Sequence, residues 1–149
     1  MKITFLGTGT SQGVPVIACD CETCRSRDIH DKRLRTSILI EKDETTLVID
    51  AGPDFRQQML RENVKRLDAI ILTHEHKDHI AGMDDVRAFN YKSQDAIDIY
   101  AEDRVQKAIK KEYSYVFAEF QYPGIPKMRL NQITDYGFSV KGIALIPLR

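Results

Sequence analysis

Nothing in this sequence tilts the chain toward one sign of charge, toward a membrane or toward a disulfide framework. Among 149 residues, 22 basic side chains face 22 acidic ones. No global field therefore favours nucleic acid or an anionic membrane, and any preference for an anion has to be local. No run approaches the roughly 18 apolar residues of a membrane span. Met1-Lys2-Ile3 leads straight into a strand instead of a signal-peptide core, so the expectation is a cytoplasmic protein with no membrane partner. The cysteines number three, an odd count, and they are too closely spaced for a disulfide framework; metal or free thiols suit them better. With 42% hydrophobic and 30% charged residues the chain is globular and can bury one core, which gives one domain over 1–149.

What the chain does have is concentrated. Three of its four histidines fall within Leu72-Thr73-His74-Glu75-His76-Lys77-Asp78-His79-Ile80-Ala81-Gly82. The aliphatic run Ala69-Ile70-Ile71-Leu72 leads into it and reads as a short buried strand, so the polar cluster sits where a strand ends and the chain turns. Imidazole and carboxylate are ligands for zinc, manganese or iron, and His74, His76, Asp78 and His79 offer four such groups. Residues two apart in extended chain point the same way, so His74 and His76 can hold one ion. Asp78 and His79, at the following turn, would begin a second site. Two ions roughly 3.5 to 4 Å apart lower the pKa of a shared water and clamp an in-line displacement, which makes a bound hydroxide the expected nucleophile.

H-x-H-x-D-H after a hydrophobic strand resembles the metal-binding signature of the metallo-β-lactamase superfamily. The segments Phe5 to Pro15, Cys19-x-Cys21-x-x-Cys24, Arg35-Thr36-Ser37 and Ile49 to Arg56 also resemble one branch of it, that of the phosphoribosyl cyclic phosphodiesterase of phosphonate breakdown and similar small hydrolases. The resemblance covers essentially the whole chain. It implies an α/β fold, approximately the N-terminal half of an αββα sandwich, with a mixed sheet and outer helices. It also implies a metal-dependent phosphodiesterase with two divalent ions, zinc or manganese, a small phosphodiester substrate and Asp78 among the catalytic groups. In that branch the last strand leads into a His-Gly loop carrying a further ligand of the first metal, and a bridging Asp and another His follow. No histidine occurs here after His79, and the sequence runs to Ile146-Pro147-Leu148-Arg149 directly after an apolar strand. The expectation is the N-terminal part of a longer hydrolase, with an incomplete site and apolar surface open to self-association as a homodimer. The alternatives are a non-catalytic metal-binding or regulatory module, and an RNA-processing nuclease; zero net charge argues against the latter.

Along the chain, Lys2 to Leu6 reads as a strand followed by a loop with Gly7, Gly9 and Gly13. A dinucleotide cradle would need a helix to begin at once, and Val14-Pro15-Val16 stays extended, so a structural turn near the metal pocket is expected. Cys19, Cys21 and Cys24 could hold a structural zinc through three of its four ligands. The fourth is not evident, since His30 lies between Asp28 and Asp31 in a solvated segment. Arg25 to Arg35 reads as surface, or as a source of arginine for a substrate phosphate. Ser37–Glu41 and Thr46–Asp50 form a hairpin, and Pro53 opens a helix to about Asn63 with Phe55, Met59 and Leu60 on one face. Asp50, Asp54 and Arg56 are candidates for substrate contact or support. A helical turn is expected at Gly82–Phe89, a strand at Ile97–Ala101, and a helix face at Val105, Ala108 and Ile109. The aromatic cluster Tyr113, Tyr115, Phe117, Phe120 and Tyr122 is read as core or partner surface, or as a substrate wall. Two late strands, Phe138–Val140 and Ile143–Ile146, complete the reading.

Overall fold

The computed structural model describes residues 1–148. A six-stranded sheet has the order β1-β2-β3-β4-β5-β6, built from β1 (Lys2–Gly7), β2 (Ser37–Lys42), β3 (Thr45–Ile49), β4 (Ala69–Ile71), β5 (Ile97–Ala101) and β6 (Met128–Gln132). β1, β2 and β3 pair antiparallel, whereas β3, β4, β5 and β6 pair parallel, so the sheet is mixed. The expected hairpin is present, with Lys42 opposite Thr45 and Asp43 at φ +53° in the tight turn.

Alternation along the strands sorts side chains to two faces. Leu39, Val48, Ile70 and Ile99 face the helices α2 (Phe55–Arg61), α4 (Arg87–Ser93) and α5 (Asp103–Glu112), joining Phe55, Met59, Val105 and Ile109 in the larger core. Ile40, Leu47, Ala69 and Ile71 face the small hairpin of β7 (Phe138–Val140) and β8 (Ile143–Leu145), meeting Val140 and Ile143. Both faces of β4 are therefore covered, which is why its sequence is unbroken aliphatic. Ile70 is fully buried, and truncating such a side chain to alanine costs about 2–5 kcal/mol.

Helix α2 is shorter than the sequence suggests because Asn63 adopts φ +53°. The Val64 amide then donates to the Met59 carbonyl and the Asn63 amide to that of Leu60, a Schellman ending with asparagine in the left-handed position. The expected turn at 82–89 is a 3-10 turn, Met83–Val86, running into α4. Strand β6 escapes sequence reading, because only Met128 and Leu130 alternate with polar residues on this sheet edge. Of the aromatic cluster, Tyr113 is buried and Phe117 packs against the core, whereas Phe120 and Tyr122 are exposed. β1 and β3 to β6 all run in one direction, so the loops after them gather at one end of the sheet, where open α/β sheets bind ligands.

Candidate metal centre

At that end the chain turns sharply after β3. Asp50 has φ +61°, a region aspartate tolerates better than most residues, and its amide donates to the carbonyl of Ile71 at 2.9 Å. Buried Ser37 braces the turn, its single hydroxyl proton lying between the carbonyls of Asp50 at 2.8 Å and Ile49 at 3.1 Å. The next residues zip onto the histidine loop, with the Ala51 amide on the His79 carbonyl at 2.8 Å and the Gly82 amide on the Ala51 carbonyl at 2.9 Å. The close approach requires glycine: a Cβ on Gly52 would lie 1.9 Å from the Asp78 carbonyl oxygen, and one on Gly82 would lie 2.0 Å from that of Gly52. Below the loop, the buried hydroxyl of Tyr113 donates to the Ile80 carbonyl at 2.7 Å, and burial pushes this phenol up to about 12.

The Asp50 carboxylate, almost wholly buried, organises the side chains. It accepts from the Thr73 amide at 2.9 Å, from Thr73 Oγ1 at 2.8 Å and from His79 Nδ1 at 2.7 Å. This network assigns the tautomers. His79 donates through Nδ1, and its Nε2 lies 3.1 Å from Asp78 Oδ2. Since Thr73 spends its only proton on Asp50, His74 Nδ1 must donate to Thr73 Oγ1 at 3.0 Å, which leaves His74 Nε2 as a lone pair in the neutral ring. The His74 ring lies 3.9 Å from that of His79 and 4.6 Å from that of His76, centroid to centroid. Burial, followed by the neighbouring His79 and His76, lowers the pKa of His74 and favours its neutral, ligating form. His74, His76, His79 and the Asp78 carboxylate are donor types that zinc and manganese accept, brought to one end of the sheet with their rings and carboxylate adjacent. The residues present fit a metal ion.

All four motif residues meet at one place, although the expected split into two diverging pairs is softened: the His74 ring is nearer to that of His79 than to that of His76. Helix α3 (Lys77–Ile80), starting after His76, carries Asp78 and His79 back toward His74. Asp50 joins as a support. Asp54 does not; its carboxylate accepts from the Arg35 amide at 2.8 Å and from Arg35 Nη1 at 2.9 Å. Arg56 is exposed and borders a groove beside α2. Thr73 has a role that sequence reading missed, and its position directly before the first histidine was the available signal.

The cysteines form a second donor group, beside the one-turn helix α1 (Glu22–Arg25). Ligand atoms of Cys19, Cys21 and Cys24 all lie within 4.8 Å of one another, a tightness the histidine cluster does not reach among the described residues. Hydrogen bonds from the Cys24 amide and from Cys19 lower the pKa of Cys21. The Val16 amide pulls Cys24 down, but Cys19, burial and Cys21 outweigh it and raise that thiol. His30 does not join them, since its Nδ1 is 2.7 Å from Asp28 Oδ1. Among the described residues no helix is long and apolar enough to cross a membrane.

This fold, with a histidine-rich loop following a buried strand, defines a superfamily, and the chain belongs to it: residues 45–149 match the family described as "Beta-lactamase superfamily domain". Within it, the chain is similar to a diphosphatase of the PhnP family, with a TM-score of 0.86, 38% identity and 97% of this chain covered. It is also similar in fold to Zn(2+)-bound PqqB from Methylobacterium extorquens, with a TM-score of 0.73, 22% identity and 94% coverage. A ribonuclease Z of Nostoc punctiforme is 34% identical over 83% of this chain. A protein of Porphyromonas gingivalis named octanoyltransferase is 45% identical over all of it. The chain spans only part of each: 55% of the diphosphatase, 48% of PqqB, 35% of the ribonuclease and 30% of the octanoyltransferase.

Proposed function

We propose that this chain carries the first ligand set of a metal-dependent hydrolase that cleaves phosphodiesters, with the diphosphate bond as the second substrate to test. The observation that supports this most is the placement of His79 between two carboxylates, the buried Asp50 on Nδ1 and Asp78 facing Nε2. A carboxylate behind a ligating imidazole fixes its tautomer and raises its basicity, a pattern of metal sites. His74 and His76 would hold one zinc or manganese ion, and Asp78 and His79 a second. Such ions supply a bound water acidic enough to attack at neutral pH and offset the charge that builds on the phosphorus oxygens. The protein's own part is orientation: Asp50 holds His79 and Thr73, Thr73 holds His74, and the glycine contacts keep Asp78 in register.

Four donors for two ions leave each ion short of protein ligands, so the 149 residues by themselves are expected to turn over poorly compared with a form extended to the length of the relatives. The PhnP-family likeness favours phosphorus chemistry, and the balanced charge disfavours a long nucleic acid. The assay is hydrolysis of bis(p-nitrophenyl) phosphate and of a nucleoside diphosphate with added zinc or manganese, for both lengths and for His76→Ala and Asp78→Asn in the longer form. Each variant should lose at least 100-fold in turnover and bind less metal by elemental analysis. Activity and metal content unchanged in both variants would refute the assignment.

A further inference from the structure

The outer surface of the helix layer carries a groove that the metal site does not use. One cavity of about 380 Å³ lies between α2 and α4, over Met59, Leu60, Val64 and Phe89. A second, of about 560 Å³, continues toward the starts of β4 and β5, and the two share Lys65, Phe89 and Lys92. The cavities therefore meet at two lysines beside an aromatic ring, away from the histidine end of the sheet.

Charge is distributed unevenly along this groove. In the second cavity the carboxylates are occupied: Asp68 by Arg66 and Lys141, Asp95 and Asp98 by Arg129. Among the described residues the lysines at the junction have no carboxylate partner. Lys92 Nζ donates to the Lys65 main-chain carbonyl at 2.8 Å, which holds the ammonium in place without neutralising it. The Lys65 side chain makes no hydrogen bond or ion pair among the described residues, and the same is true of Arg56 at the rim. Asp85 is the one acidic residue bordering the apolar cavity. Leu60 is 63% exposed and adds apolar surface to the groove beside half-buried Val64 and Phe89.

The geometry points to a binding site for a small amphipathic anion, with its carboxylate or phosphate between Lys65 and Lys92 and its aliphatic chain over Met59, Leu60, Val64 and Phe89. An ammonium pair recognises the head as point charges, and the apolar floor gains from each methylene it removes from water. A cavity of this size falls within the range of small-molecule pockets. This inference does not rest on the hydrolase reading, since none of these residues contacts the histidine cluster in the described structure.

The test is calorimetric titration of the full chain with decanoate below its self-association range, alongside octanoate, inorganic phosphate and decyltrimethylammonium. Decanoate should saturate at one site and bind more tightly than octanoate, by about four-fold for each buried methylene. Phosphate and the cation should not saturate. Lys65→Glu should weaken decanoate at least ten-fold, and Ala88→Trp, which fills the groove from an exposed helix position, should abolish binding while circular dichroism stays unchanged. Failure of decanoate to saturate, or equal affinity in Ala88→Trp, overturns the proposal. Co-sedimentation with phosphatidylglycerol vesicles in the absence of decanoate binding also overturns it, since the surface would then read a membrane and not a single amphiphile. Metal content of the histidine site should not change in either variant, so this test and that of the hydrolase fail separately.

Discussion

Two buried aspartates sit at opposite ends of neighbouring strands, and their partners differ in kind. Asp50 follows β3 at the histidine end and is held by Thr73 and His79, groups that are neutral or titratable. Asp68 precedes β4 at the other end and is held by Arg66, Lys141 and the Thr46 amide. Both are buried, but the second is neutralised by two cations on one of its oxygens. The first leaves its charge shared across an imidazole whose far nitrogen faces another carboxylate. A buried carboxylate closed off by arginine and lysine marks a structural fastening; one that orients an imidazole is the arrangement found behind metal-ligating histidines.

The sharpest way to break this contrast is steric. Gly52→Ala or Gly82→Ala forces backbone apart where the Asp50 turn meets the histidine loop. The expected loss is about 3 kcal/mol or more, above the usual 1–3 kcal/mol of overpacking because the obstacle is main chain. Urea unfolding measures it, and a loss below 1 kcal/mol would mean that the loop gives way easily.

Next come the aspartates themselves. Asp50→Ala and Asp68→Ala should each cost about 2–3 kcal/mol, because each strands several donors in a buried place. The two should part in metal binding. Asp50→Asn, which keeps the left-handed backbone, should reduce zinc affinity at the histidines about 10 to 100-fold, while Asp68→Asn leaves it unchanged. Equal effects on zinc would erase the distinction.

The pH dependence sharpens it further. Burial by itself would raise the Asp68 carboxyl, but hydrogen bonds from Lys141, Arg66 and the Thr46 amide outweigh it and hold the pKa below the usual range. The folded value is thus below the unfolded one, so the stabilisation is fully present above about pH 4 and is lost as pH falls through the folded value. Lys141→Met should remove part of it, on the order of 1 kcal/mol since this lysine is half exposed. Wild type and variant should converge in urea melts as pH falls below the folded value, and a gap that does not narrow on acidification would show that the lysine acts by packing.

The smallest effect is expected at the cysteines. Cys21→Ser should change stability without metal by less than about 0.5 kcal/mol, the range of exposed substitutions. A larger loss on chelation than on mutation would show that the thiols hold an ion.

Sequence by itself determined the strand before the histidines, the hairpin of β2 and β3 and the place of the four motif residues at a strand end, because each rests on local pattern: an unbroken aliphatic run, alternation, spacing. It also carried the family, through short motifs whose residues stand side by side in the chain. Only the tertiary structure decided what those donors do together. Asp50 and His79 are 29 residues apart, and their contact exists because parallel pairing of β3 with β4 sets one strand end beside the other. The same pairing gives Thr73 its role, and other long-range packing ties Asp54 to Arg35 and lays the Lys92 ammonium on the Lys65 carbonyl. Local propensity cannot encode such neighbours, since register between strands is fixed by the burial of both sheet faces at once.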